Sequence, residues 1–311
     1  MSVKAFSVKV PASTANLGPG FDSVGLALDL YLTVLVSGAE VSESPVSSVE
    51  YLTESYRSLD GGSDNLLLST MRYVGERYGQ IVPPVKLEVE TDIPLGRGLG
   101  SSASAIAAGI EIADRLLALD LSMQEKLVIG TELEGHPDNV SASLLGGLTI
   151  SYWDGEELLV SHVADVDIAV IILVPPEEFL TTESRGLLSG GLSHASAARS
   201  SAAANVFSAA VARGEWKTAG RMMEKDEFHE PFRKSRFPDF DKIRKVCREG
   251  GAYGTAISGA GPSLFVAVEP GREIRLAAEL ERKFPHYECL VREVDLGGVR
   301  VCEGVSGKSV G

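Results

Sequence analysis

One stretch of eleven residues restricts the fold of this chain more than any other: Pro94, Leu95, Gly96, Arg97, Gly98, Leu99, Gly100, Ser101, Ser102, Ala103 and Ser104. It stands between two segments of opposite periodicity. Before it, Val85, Leu87 and Val89 alternate with polar residues, which predicts a half-buried strand over Val85 to Thr91. After it, Ala103, Ile106, Ala107, Ile110, Ala113 and Leu117 recur at helical spacing, with Ser102 placed to cap the start. A strand that runs through three glycines into a helix puts the unpaired N–H groups of the helix, and the positive end of its dipole, next to the loop. Gly96, Gly98 and Gly100 allow backbone angles and close approaches that side chains would block. The loop therefore suits a phosphate cradle, although a glycine turn capped by serine would use the same residues. It is not a Walker A loop, because the Gly-Lys-Ser/Thr ending is missing.

Around this loop the chain reads as an α+β protein in two parts. From Ser2 to about Tyr152 strands and helices alternate through the glycine loop, and the segment from Trp153 to Val166, with a turn at Asp154-Gly155, reads as a passage between halves. A buried strand over Asp167 to Val174 opens the second part and stops at Pro175-Pro176, which offer no N–H for pairing. Helical sequence follows from about Ser193 to Asp226 and from Asp239 to Glu249. Two strands flanking the turn Ser258 to Gly261, a helix over Gly271 to Phe284 and a strand near Tyr287 to Val294 complete the layer. We set the domains at residues 1–160 and 161–302, with 303–311 as a tail. Of the 311 residues 44% are hydrophobic and 23% charged, enough for a substantial core and unlike a disordered chain.

A formal charge of −14 argues against general affinity for nucleic acid or anionic membranes. It leaves room for an anion held by local backbone donors. Cys247, Cys289 and Cys302 are an odd number without short spacing, so neither a disulfide framework nor a zinc knuckle is expected. The amino-terminal segment lacks the apolar core of a secretory signal. The apolar run Ile168 to Val174 is far below the roughly 20 residues of a membrane-spanning helix. A cytoplasmic protein is expected.

Three further segments concentrate turn-forming and polar residues. Pro11 to Asp22, PASTANLGPGFD, places Asn16 and Asp22 on a loop leaving the first strand. Glu132 to Asn139, ELEGHPDN, holds Glu132, Glu134, His136, Asp138 and Asn139 at a helix junction. Ser258 to Ser263, SGAGPS, joins two predicted strands and can approach a ligand by backbone alone or serve as a tight hairpin. Singly, each of these polar residues suits a helix cap or a solvated loop.

Taken together and in order, PASTANLGPGFDSVGLALDL, PLGRGLGSSAS, EGHPDNV and ISGAGPS resemble the superfamily of galactokinase, homoserine kinase, mevalonate kinase and phosphomevalonate kinase. The first segment and EGHPDNVSASLLGG are closest to the homoserine kinase branch. The resemblance implies a two-domain fold with an amino-terminal domain like ribosomal S5 domain 2, containing a left-handed β-α-β element, and a ferredoxin-like carboxy-terminal domain. The site would lie between them. It implies ATP-dependent phosphorylation of the side-chain hydroxyl of L-homoserine on the route to threonine. Its alternatives are another small alcohol, such as mevalonate or shikimate, or a non-catalytic nucleotide-binding relative.

By the same resemblance, residues 94–104 would wrap the ATP phosphates, with Ser102 and Glu132 positioning Mg²⁺. Asp22 with Asn16 would meet the substrate ammonium, Arg185 and Arg233 its carboxylate, and Thr181 fits the same pattern. Arginine suits a carboxylate because its planar fork bonds it twice. His136, Asp138 and Asn139 would face the reacting hydroxyl. Whether Asp138 takes its proton, or the proton passes directly to the γ-phosphate while Asn139 orients the hydroxyl, stays open. Two positions depart from the family pattern or vary within it: Phe232 stands where tyrosine is common, and Arg97 occupies a variable loop position. A homodimer is the implied assembly.

Overall fold

The structure, a computed structural model, describes residues 4–38, 47–57, 59, 61–62, 64–179 and 181–303. Its first layer is built from β1 (Phe6–Ala15), β2 (Val24–Gly38), β3 (Ser48–Tyr51), α1 (Leu66–Arg77), β4 (Val85–Thr91), α2 (Ser101–Leu117), α3 (Met123–Glu134), α4 (Asp138–Leu145), β5 (Leu148–Trp153) and β6 (Leu158–Val163). The second contains β7 (Ala169–Val174), α5 (Thr181–Gly186), α6 (His194–Ala212), α7 (Trp216–Met223), α8 (Glu230–Arg233), α9 (Phe240–Glu249), β8 (Gly254–Ile257), β9 (Leu264–Val268), α10 (Glu273–Lys283) and β10 (Glu288–Arg292). The final strand, β11 (Arg300–Glu303), returns to the first layer.

The first sheet runs β11-β1-β2-β4-β3, with β5 on β2 and β6 on β5. Parallel β3 and β4 are joined through α1, giving the β-α-β element of this layer. The second sheet is antiparallel in the order β10-β7-β9-β8. In chain order these strands are fourth, first, third and second, with helices after the first and third. That is the ferredoxin-like arrangement expected from the resemblance.

The uninterrupted apolar run of β7 follows from burial on both faces. Val170, Ile172 and Val174 join the large core shared with the first layer, Phe207 and Trp216. Ile171 and Leu173 face a second cluster with Phe240, Ile243 and Leu276. Helical sequence expected from Ser193 to Asp226 is two helices, parted at Gly214, whose φ of 69° suits a residue without a Cβ.

The sheets divide the chain differently from the expected boundaries. β6 runs to Val163 in the first sheet, so the crossing comes after it. Glu303, expected in the tail, pairs with Phe6 in β11, while residues 304–311 lie outside the described residues. The cause of this return is Asp295, which is buried and accepts from Gly297 N, Gly298 N, Tyr31 Oη and Arg300 Nη2. These bonds turn the chain back along β1 and cover what would be an open edge.

The contact that places the functional elements is between β2 and α4. A Cβ at Gly25 would stand 1.9 Å from the Asp138 carbonyl oxygen, so the start of α4 lies directly on the strand. Gly25→Ala is expected to lower unfolding stability in urea by about 1–3 kcal/mol through overpacking against backbone. An unchanged midpoint would mean that α4 is not held by this approach.

Candidate active site

Three loops, after β4, β1 and β8, meet around a cleft of about 180 Å³ that opens to solvent. Gly96, Gly98 and Gly100 of the first have φ of 63°, 70° and 69°, the left-handed conformation that their lack of a Cβ permits. Gly98 also sits where a Cβ would meet the Ser258 carbonyl at 2.3 Å, and Ser258 Oγ donates to the Gly98 carbonyl at 2.7 Å. The loop and the 258–261 turn thus approach backbone to backbone. α2 begins at Ser101, and its first intrahelical bond is Ser104 N to Gly100 O. The earlier N–H groups at its start have no intrahelical partner and lie beside the cleft.

Ser102 does not cap α2, as the spacing suggested. Left-handed Gly100 occupies the cap position, and Ser102 Oγ donates instead to Glu134 at 2.9 Å. The carboxylate that Ser102 meets is thus Glu134, two residues beyond the expected Glu132. Glu132 bonds Arg77 and Tyr73 on an exposed face and does not line the cleft. Two residues on a helix turn by about 200°, so when Glu132 faces out Glu134 faces in. Burial raises the Glu134 carboxyl above its ordinary range, although His136 and Ser102 pull it down.

Asn16 and Asp22 both have positive φ, on the loop between β1 and β2. The buried Asn16 amide accepts from Asp22 N at 3.0 Å and donates to the Gly259 carbonyl at 2.8 Å. Asp22 forms a bidentate pair with Arg185 of α5, at 2.8 and 3.1 Å. α5 is tied to the third loop by Ser184 Oγ, which donates to the Ala260 carbonyl at 2.8 Å. Arg233 also lines the cleft, yet it is 2% exposed and pairs with no carboxylate among the described residues. Burial lowers its guanidinium pKa to about 10, against the opposing charge of Asp22. Thr181 begins α5, but its side chain lies outside the described residues.

At the start of α4, Asp138 Oδ1 accepts from Asn139 N at 2.8 Å and lies 2.6 Å from His136 Nδ1. A carboxylate accepts only, so His136 carries its proton on Nδ1 and presents Nε2. Burial alone would depress the imidazole, but the bond and charge of Asp138, helped by Glu134, raise its pKa on balance. Asn139 Nδ2 donates to the Ser13 carbonyl and to Ser13 Oγ. The carbonyl assigns the amide orientation. Its Oδ1 accepts from no described residue and is available to a donor in the cleft.

The structure gathers the expected Pro94, Gly96–Ser102, Asn16, Asp22, His136, Asp138, Asn139, Arg185 and Arg233 around one space. Leu95, Ala103 and Ser104 support the loop without lining it. Leu95 O faces Arg97 Nη1 at 3.5 Å, Ala103 is buried, and Ser104 Oγ donates to Pro11 O and Gly100 O. The sequence reading did not select Glu134, Phe179 and the holding residue Ser13. Of these Glu134 and Ser13 lay in the segments singled out above, Glu132 to Asn139 and Pro11 to Asp22, and Phe179 had no signal.

A glycine loop at a helix start faces a cluster of carboxylates and arginines between two α+β layers, and these layers correspond to the two domains of a GHMP kinase. Residues 65–147 match the GHMP kinases N terminal domain and 207–286 the GHMP kinases C terminal domain. The chain is 43% identical to a homoserine kinase of Bacillus pumilus over 95% of this chain and 94% of that one. It is 44% identical to one of Bacillus cereus, over 95% and 96%. The crystal structure of homoserine kinase from Cytophaga hutchinsonii superposes with a TM-score of 0.85 at 25% identity, covering 96% of this chain and 98% of that one. The chain belongs to the homoserine kinase family.

If Asp138 is what raises the His136 pKa, Asp138→Asn should leave burial dominant and bring the His136 titration below its wild-type midpoint. NMR titration of the imidazole measures this, and an unmoved midpoint would reject the coupling.

Proposed function

We propose that the enzyme transfers the γ-phosphoryl group of ATP to the side-chain hydroxyl of L-homoserine, giving O-phospho-L-homoserine and ADP in the cytoplasm. The observation that carries this reading is the charge arrangement at one end of the cleft. An Asp22–Arg185 ion pair stands with a buried arginine, Arg233, that has no carboxylate partner among the described residues. An amino acid is complementary to that set. Its ammonium replaces Arg185 at Asp22, and its carboxylate joins the guanidinium groups, so the exchange conserves pairing while giving Arg233 the anion it lacks. An uncharged alcohol cannot make this exchange.

At the other end, the N–H groups of the glycine loop and of the start of α2 hold phosphate oxygens. The nearby carboxylate fits a cation: Ser102 Oγ and Glu134 offer hard oxygen donors, and a carboxyl raised by burial gains from a divalent charge beside it. Ser102 and Glu134 would thus hold Mg²⁺ together with phosphate oxygens, supplying neutralisation of charge on the triphosphate.

Between the two ends, Asn139 Oδ1 accepts the substrate hydroxyl proton in a hydrogen bond and aims the oxygen lone pair at the γ-phosphorus. The new O–P bond forms as the β–γ bridging P–O bond breaks, and ADP carries away that electron pair. The hydroxyl proton goes to Asp138, directly or through His136, or to a γ-phosphate oxygen. A base contributes about 10²- to 10⁴-fold. Asp138→Asn is therefore expected to lower kcat within that range if the carboxylate takes the proton, and far less if phosphate takes it.

The test is a coupled ADP-release assay with Mg-ATP and L-homoserine, mevalonate, shikimate, serine or threonine. A kcat/KM for homoserine at least about a hundredfold above the others, near 2.7 kcal/mol, supports the assignment. Preference for another alcohol overturns it. In the same assay Glu134→Gln should lower kcat/KM by about 10² or more and raise the Mg²⁺ requirement. Glu132→Gln should stay within a few fold, because it removes only an exposed ion pair.

A further inference from the structure

His229 lies just before α8, is fully buried and contributes nothing to the cleft surface. Its ring nevertheless connects two parts of the site. Nε2 is 2.9 Å from the Gly18 carbonyl, on the loop that carries Asn16 and Asp22, and Nδ1 is 3.1 Å from Arg233 Nη1. These partners leave one tautomer. A carbonyl only accepts and a guanidinium only donates, so Nε2 carries the hydrogen and Nδ1 a lone pair. Burial lowers the imidazole pKa, the Arg233 charge acts the same way, and Asp226 opposes them. Asp226 is otherwise occupied, accepting from Phe228 N, His229 N and Glu230 N.

The consequence falls on Arg233. Its Nη1 donates to His229 Nδ1 and to the Gly259 carbonyl at 3.0 Å, which uses both of its hydrogens. Nε is buried and has no hydrogen-bond partner among the described residues. The guanidinium is therefore anchored by one corner, and Nη2, which bonds no described residue, is left for the substrate carboxylate. Phe21 supports both side chains. It stacks on His229 at 5.4 Å with 24° between the rings, and the Arg233 guanidinium carbon lies 5.4 Å from its centroid.

We propose that His229 is a positioning residue that sets which edge of Arg233 meets the substrate, and so determines the preference for an amino acid over the corresponding amino alcohol. The neutral imidazole acts as a spacer of fixed polarity, accepting from Arg233 while donating to the loop that holds Asp22. It thereby holds the carboxylate-binding and ammonium-binding sides in register. The proposal rests on the homoserine kinase reading.

The experiment compares L-homoserine with 3-amino-1-propanol, which is homoserine without its carboxylate, in wild type and two variants. His229→Gln can still donate near the Nε2 position but has no acceptor at Nδ1. His229→Asn places an acceptor near Nδ1 and loses the Gly18 bond. His229→Gln is expected to raise KM for homoserine about 10- to 100-fold, the loss of a hydrogen bond to a charged group. KM for ATP should stay near its wild-type value, and kcat/KM for 3-amino-1-propanol should change far less than for homoserine. His229→Asn should recover most of the homoserine KM.

Equal losses on both substrates, or failure of Asn to rescue relative to Gln, would overturn the proposal in favour of a purely structural role. Wild type that turns over no homoserine would instead reject the functional reading, and this proposal with it. Should the variants not fold, ¹⁵N NMR of wild-type His229 decides: an Nε2–H tautomer with bare Nδ1 is expected, and an Nδ1–H or doubly protonated ring overturns it.

Discussion

The Asn16 amide is the joint on which the cleft depends. Its two ends bond different layers, the Asp22 N–H on the loop after β1 and the Gly259 carbonyl on the turn between β8 and β9. Gly259 N in turn donates to the Ala15 carbonyl at 3.0 Å, and Ser258 Oγ reaches Thr14 Oγ1 and the Gly98 carbonyl. Backbone groups that would otherwise be buried without partners are satisfied across the boundary, which is why the loops can lie so close. A side chain at Gly98 would push the turn away and leave those groups unpaired. The site is therefore an outcome of satisfying backbone polarity where the two sheets meet.

The charge distribution follows from this closure. The protein carries −14 overall, yet its cleft has the glycine loop and the start of α2 at one end and two arginines at the other. The cationic side chain of the loop, Arg97, donates to the Pro176 carbonyl at 2.7 Å and faces Glu178 at 3.5 Å. Arg97 thus ties the glycine loop to the segment after β7, and in the proposed function phosphate binding falls to backbone donors. Net charge decides long-range attraction, whereas the fixed dipoles of a closed loop decide what is held at short range.

How much of this could be read from the sequence depended on whether the signal was local. Val85–Thr91 reads as a strand because one face is buried, and the structure has β4 over those same residues. The glycine loop was legible because the conformation it needs is specific to glycine. Glu134 was not, because Glu132 and Glu134 share the same chemistry and only the rotation of α3 separates them. Ser102 failed as a cap for a related reason: the N-cap rule sees a serine beside a helix start but not a carboxylate 32 positions away that competes for its hydroxyl. The Asp295 network, which returns β11 to β1, is non-local too, linking positions separated by 264 residues.

Arg233 shows where the two kinds of information combine. In sequence it is one basic residue in a short polar segment, and exposed arginines are the rule. Folding makes it nearly the opposite, a guanidinium held by an imidazole and a carbonyl, with no carboxylate partner among the described residues. Burying an unpaired charge is costly, and a fold selected for stability alone would neutralise it with a nearby acid. Asp22 is that acid in the same cleft, but it is bonded to Arg185 instead. The pairing leaves one positive charge and the means to release a second, the requirement for binding a zwitterion with its carboxylate towards the arginines. In the proposed function Arg233 therefore trades stability of the free protein for a carboxylate that arrives with the substrate.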